Sequence, residues 1–172
     1  MTRLEEIIRK ETRVAFSGAR GCLIATMAVK DVVQYLHPQS RVIVGCAGGV
    51  DGIVRVLVPK AEVFYFGTYY KDGISAAAAM AIRSTEVVKE LNGGLLIAAP
   101  AAGQVCPASV VPAKSWKSGK SGTWSSIALA LGLGSPVLLF LTSSDQIPPW
   151  MQGKFETIAT VKDSGTWLLV SL

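Results

Sequence analysis

Histidine is almost missing from this chain: of 172 residues, His37 alone is one. A multi-histidine metal site is thereby excluded, and no metal is expected. His37 precedes Pro38 where a helix should stop, so a capping role at that helix end is the expectation. Cysteine is also scarce. Cys22, Cys46 and Cys106 stand far apart with no C-x-x-C spacing, which predicts unpaired, buried thiols in a reducing cytoplasm. Charge is low, at 17% of residues, while half the residues are hydrophobic; disorder is excluded. Long apolar runs are lacking too. The longest, around Leu131 to Leu141, is interrupted by Gly132, Gly134, Ser135 and Pro136, so no membrane span is expected. The opening Met1-Thr2-Arg3-Leu4-Glu5-Glu6 is charged and predicts no signal peptide, so a cytoplasmic location is expected.

What is present is alternation. Residues 13–18, 41–44, 62–66, 94–100 and 136–141 are short apolar runs that predict five strands, apolar on both faces. Helical spacing lies between them: 22–36, a helix starting near Asp51, 75–91 capped by Ser75, and 123–131. A short amphipathic helix precedes the first strand, and residues 155–161 and 166–172 predict a closing antiparallel hairpin at one edge. The length fits a single domain over residues 1–172. Strands apolar on both faces, alternating with helices, predict an α/β fold with a parallel sheet and helices on both sides. Ligands in such folds bind beyond the carboxyl ends of the strands.

That rule selects the loops to inspect. Ser17-Gly18-Ala19-Arg20-Gly21 and Gly45-Cys46-Ala47-Gly48-Gly49-Val50-Asp51 are bare strand-to-helix turns, and Ser118 to Ser126 is a third, rich in Gly, Ser and Thr. The loop around Tyr69, Lys71, Asp72 and Gly73 is a fourth, with Arg83 further along the next helix. Small residues let an anion approach the backbone and the free N–H groups of a helix start. Each turn also has a plain reading as a turn. Asp51 as a helix cap needs no ligand, and Arg83 could pair with Glu86 or Asp72 at the surface. A P-loop is excluded because its first glycine would fall on Lys114, and the spacing G-x-G-x-x-G is absent. The segment 100–122 is long and irregular. Within it Lys114, Lys117 and Lys120 surround Trp116, a pattern that suits either a lid over phosphates, with Trp116 or Trp124 stacking on a base, or single-stranded DNA.

In order and spacing, Gly18-Ala19-Arg20, then Gly45 to Asp51, then Arg83, then Ser121-Gly122-Thr123 resemble the SLOG superfamily. That superfamily includes the Lonely Guy (LOG) proteins and the Rossmann domain of DNA-processing protein A. Its pattern is G-S-R, G-G-A-x-G-x-D, an arginine, and G-G-T. Here Ala19 replaces the serine, and Cys46 stands at the second glycine. The resemblance covers about residues 13–141 and implies a Rossmann-like sheet that binds a phosphorylated nucleotide or a nucleotide-derived signal, of adenine or NAD origin. It implies a ligand site made of Gly18, Ala19, Arg20, Gly45, Ala47, Gly48, Gly49, Asp51, Arg83, Ser121, Gly122 and Thr123, no further cofactor, and a homodimer or higher homo-oligomer. LOG enzymes cleave the N-glycosidic bond of nucleoside monophosphates through a glutamate three residues after the threonine. Here that position is Ser126, and no carboxylate occurs from Gly103 to Ser144. Asp51, Asp72 or Glu86 would have to substitute, so no catalytic residue is assigned. The expectation is therefore a sensor or sequestering protein first, an N-glycosidase second and a single-stranded DNA binder third.

Overall fold

A computed structural model describes residues 1–172. Seven strands form one sheet in the order β3-β2-β1-β4-β5-β7-β6. They are β1 (Arg13–Gly18), β2 (Arg41–Gly45), β3 (Glu62–Phe64), β4 (Leu95–Ala99), β5 (Val137–Leu141), β6 (Phe155–Val161) and β7 (Gly165–Val170). The first five are parallel, and β7 pairs antiparallel with both β5 and β6. The fold is thus the expected α/β, Rossmann-like arrangement with a C-terminal antiparallel hairpin, whose second strand inserts against β5 and leaves β6 at the edge.

Side chains of a strand alternate between faces, and here that period divides the interior into two cores. Val14, Phe16, Val42, Val44, Leu95, Ile97, Leu138 and Phe140 point to one face and meet α1 (Arg3–Arg9), α2 (Leu23–Val33) and α3 (Val50–Leu57). Ala15, Ile43, Leu96, Ala98, Val137 and Leu139 point to the other and meet α5 (Ala76–Lys89) and α6 (Gly122–Gly132). Strands β4 and β5 are buried at every position, which is why their sequences are apolar without alternation. α1 begins with a capping box between Thr2 and Glu5. α2 stops at Val33, with Gln34 as its C-cap, short of the expected Leu36, so His37 does not cap the helix; its Nδ1 accepts from the Gln39 N–H at 3.1 Å in the turn that follows.

Two expectations need correction. The third strand stops at Phe64 rather than Phe66, because the Phe66 N–H turns inward to the Cys46 sulfur at 3.1 Å and starts a four-residue helix, α4 (Phe66–Tyr69), where a loop was expected. The three cysteines are unpaired as expected, but each is only half-buried, because all three sit in loops rather than in the two cores.

The chain runs outward from β1 to β3 and then crosses back to β4, so β1 and β4 are neighbours whose following segments leave in opposite directions. This is the switch point at which doubly wound sheets open a crevice. No helix is long and apolar enough to cross a membrane.

Candidate functional site

The crevice lies beyond the carboxyl ends of β1 and β4 and encloses about 770 Å³. Three segments converge on it: the turn after β1, the start of α3 with the turn before it, and the stretch from Trp116 to the first turn of α6. α5 forms one wall, through Met80, Arg83 and Ser84. Of the residues expected at a ligand site, Gly18, Ala19, Arg20, Ala47, Asp51, Arg83, Ser121, Gly122 and Thr123 line it together. Gly45, Gly48 and Gly49 do not, and their positions explain why the β2–α3 turn is bare.

Gly49 has φ +64°, and a Cβ there would fall 2.5 Å from the Arg20 carbonyl oxygen and closer still to that of Ala19. The turn after β2 is pressed against the turn after β1, and the Val50 N–H donates to the Ala19 carbonyl across the seam at 3.2 Å. Gly45 leaves room for two charged groups: a Cβ there would lie 2.6 Å from Asp51 Oδ2 and 3.1 Å from Arg83 Cζ. Gly18 is bare because Val50 and the Ala99 carbonyl crowd it. Gly48 has space around it, its nearest neighbour being 4.0 Å away. Packing therefore accounts for three of the glycines, while Gly48 borders a smaller cavity beside the crevice.

α3 fastens this turn with two side chains one helical turn apart. Asp51, buried, accepts from the Ala47 N–H at 3.3 Å. Arg55 donates from Nη1 to the carbonyls of Gly45 and Ala47 at 2.9 and 2.8 Å. Asp51 thus closes the preceding loop rather than the first turn of its own helix. Burial pushes its carboxyl above the ordinary range, against the pull of Arg83, the Ala47 N–H, Arg55 and Arg20.

Arg83 is only 8% exposed. The surface ion pair weighed for it does not form, because Glu86 bonds Lys89 instead and Asp72 is exposed elsewhere. Its Nη1 reaches the Cys46 sulfur and its Nη2 the Ser84 hydroxyl, both at the long distance of 3.5 Å. Its Nε has no partner, and no carboxylate lies within ion-pair distance. A guanidinium loses much hydration energy on burial and ordinarily recovers it from a carboxylate or an anion. Behind it a polar void of about 20 Å³ is shared by Ser17, Asp51, Ser84 and Ser126. Ser126 donates back to the Gly122 carbonyl at 2.9 Å.

Opposite Arg83, α6 opens with Ser121 as its cap, the Ser121 hydroxyl accepting from the Trp124 N–H at 3.3 Å. The first N–H groups of a helix have no intrahelical acceptor and carry the positive end of its dipole. Ser121 also donates to the side chain of Gln104 at 3.1 Å.

The expected irregular segment is present between β4 and α6, and it is tied down. Val110 is fully buried, the Ala113 N–H donates to the Ala128 carbonyl, and the Ser125 hydroxyl donates to the Lys117 carbonyl at 2.6 Å. Asp145 accepts from the Gly103 N–H at 2.6 Å. Trp116 and Lys120 line the crevice, whereas Lys114 and Lys117 do not. Trp124, offered as an alternative stacking residue, is fully buried with its indole N–H on the Gln104 carbonyl at 3.2 Å, so it faces no ligand. Gln104, Met80, Ser84, Cys22 and Arg55 were not anticipated. Arg55 alone had a local signal, since it lies four residues after Asp51 on one helix face. Exposed Arg20 donates to the Met80 sulfur at 3.0 Å across the mouth.

A second cavity, of about 470 Å³, lies at the C-terminal ends of α2 and α3, at the opposite end of the sheet. No family model matches the chain, and no curated protein matches it in sequence.

Proposed function

We propose that the crevice binds a phosphorylated nucleotide or a nucleotide-derived anion without turning it over, as expected of a sensing or sequestering member of the SLOG superfamily. The observation that carries this reading is the buried Arg83, whose Nε lacks any partner beside a large crevice. Arg20, Arg83 and Lys120 bring three cations to the lining against the single buried carboxylate of Asp51. In this reading the phosphate lies between Arg83 and the start of α6, held by the N–H groups of Gly122 and Thr123. The base lies toward Trp116 and Gln104, with the ring stacked on the indole.

The test is a thermal-shift panel of nucleoside monophosphates, NAD, ADP-ribose and cyclic dinucleotides with a short single-stranded oligonucleotide, free base being followed by chromatography. A ligand at a hundred times its Kd stabilises by about 2.7 kcal/mol, a shift of roughly 5–10 °C for a chain of this size. One responding nucleotide, no released base and loss of the shift in Arg83→Met support the reading. A response to the oligonucleotide alone refutes it.

One observation favours a second reading, N-glycoside hydrolysis. The Asp51 carboxyl lines the crevice with its proton affinity raised by burial, as a general acid for a departing base would need. Released base that disappears in Asp51→Asn would transfer the assignment to the hydrolases.

A further inference from the structure

A smaller cavity of about 280 Å³ adjoins the crevice and shares Arg20, Met80 and Arg83 with it. Its own lining adds Cys46 and Phe66. Cys46 is half-buried and unpaired. Its sulfur faces two donors, the Phe66 N–H at 3.1 Å and Arg83 Nη1 at 3.5 Å. A neutral thiol gains little from two donors, whereas a thiolate gains from both, the more so when one is a guanidinium with no ion pair at contact distance. Burial by itself would push the Cys46 thiol up, yet the Phe66 N–H and Arg83 together bring it below the ordinary value. Cys106 shows the contrast: burial pushes its thiol up.

We propose that Cys46 is a modification site that exchanges with a small carboxylate-bearing disulfide, guided into its cavity by Arg20 and Arg83. The thiol proton leaves to solvent, and the Cys46 sulfur attacks one sulfur of the incoming disulfide. The incoming S–S bond breaks, a mixed disulfide forms at Cys46, and the departing thiolate takes up a proton from solvent. Cys46 is oxidised and the departing half is reduced, so the disulfide supplies the whole oxidising equivalent. Arg83, which forms no ion pair at contact distance and whose Nε lacks a partner, supplies the charge that draws a carboxylate, and the cavity has room for the adduct beside it. The proposal stands whether or not the crevice takes a nucleotide.

The experiment uses the full chain without ligand, oxidised glutathione as the anionic probe and a neutral dipyridyl disulfide as its control. Labelled peptides are identified by mass. Cys46 should be modified first, about tenfold faster than Cys22 or Cys106. Arg83→Gln should slow both reactions through the thiolate, and the glutathione reaction about tenfold more than the dipyridyl reaction. Equal or faster labelling of Cys22 overturns the proposal, and so does an equal loss for both probes in Arg83→Gln. Should Arg83→Gln fail to fold, the wild-type rates decide. Added salt must slow modification of Cys46 by oxidised glutathione and leave the dipyridyl rate unchanged. A glutathione rate insensitive to salt also overturns it.

Discussion

The contrast between Gly49 and Gly48 separates a packed position from an open one within one turn, by adding a single methyl group at each. In Gly49→Ala the new Cβ meets two carbonyl oxygens, those of Ala19 and Arg20, at a backbone angle of φ +64° and ψ −123° that only glycine adopts freely. Backbone strain of this kind costs about 1–3 kcal/mol. The overlap falls on main-chain atoms of the β1–α2 turn, which cannot rotate away, and overpacking adds about 1–3 kcal/mol more. A total near 4 kcal/mol lowers Tm by roughly 8–16 °C for a chain of this length. In Gly48→Ala the nearest atom is 4.0 Å away, so Tm should stay within about 2 °C of wild type, in keeping with a substitution of under about 0.5 kcal/mol. The assay is thermal unfolding followed by circular dichroism, without ligand. If Gly49→Ala melts within about 2 °C of wild type, the two turns are not pressed together as described and the reasoning fails. If the two variants lose equal stability, the open space at Gly48 is refuted with it.

Four further outcomes follow from the same geometry. Replacing Arg83 by Met should leave the Tm of the ligand-free protein unchanged or higher, because a buried cation with no ion pair at contact distance and an unpartnered Nε gives little back for its lost hydration; a large loss of Tm would show that Arg83 is paired in solution. Since Asp51 holds its proton more tightly folded than unfolded, the folded state binds the extra proton above the unfolded value of about 4. Its contribution to stability should therefore fall as pH rises through the window up to its raised folded value, and urea unfolding of wild type minus Asp51→Asn across that range should show the decline. Trp116→Ala should weaken nucleotide binding by about 1–2 kcal/mol if the base stacks there, whereas Lys114→Ala should change Kd less than about twofold; calorimetry distinguishes them. Ser125→Ala removes the 2.6 Å bond to the Lys117 carbonyl and should cost about 1–2 kcal/mol in chemical denaturation.

Much of the fold was legible before any coordinates, because strand and helix periods differ and local turn chemistry marks their ends. The apolar runs expected at 13–18, 41–44, 94–100 and 136–141 are strands to within a residue or so, and burial on both faces leaves β4 and β5 no polar positions. The convergence of Arg20, Asp51, Arg83 and Thr123 was legible too, since parallel strands deliver their following loops to one end of the sheet. Trp124 shows where sequence ceases to decide. It looks as ligand-ready as Trp116, yet it sits on the inner face of α6, and only the packing of that helix on β4 and β5 reveals it. Arg83 can equally be read as a surface cation on a helix until the small residues at 45–49 let the turn approach it, removing water and leaving it without an ion pair at contact distance. Composition and period act through neighbours along the chain, and they determined the elements and the end of the sheet where the site lies. Which glycine is packed and which stands open, and which cation is buried without an ion pair, depends on atoms brought close from distant positions, and the tertiary structure alone decided it.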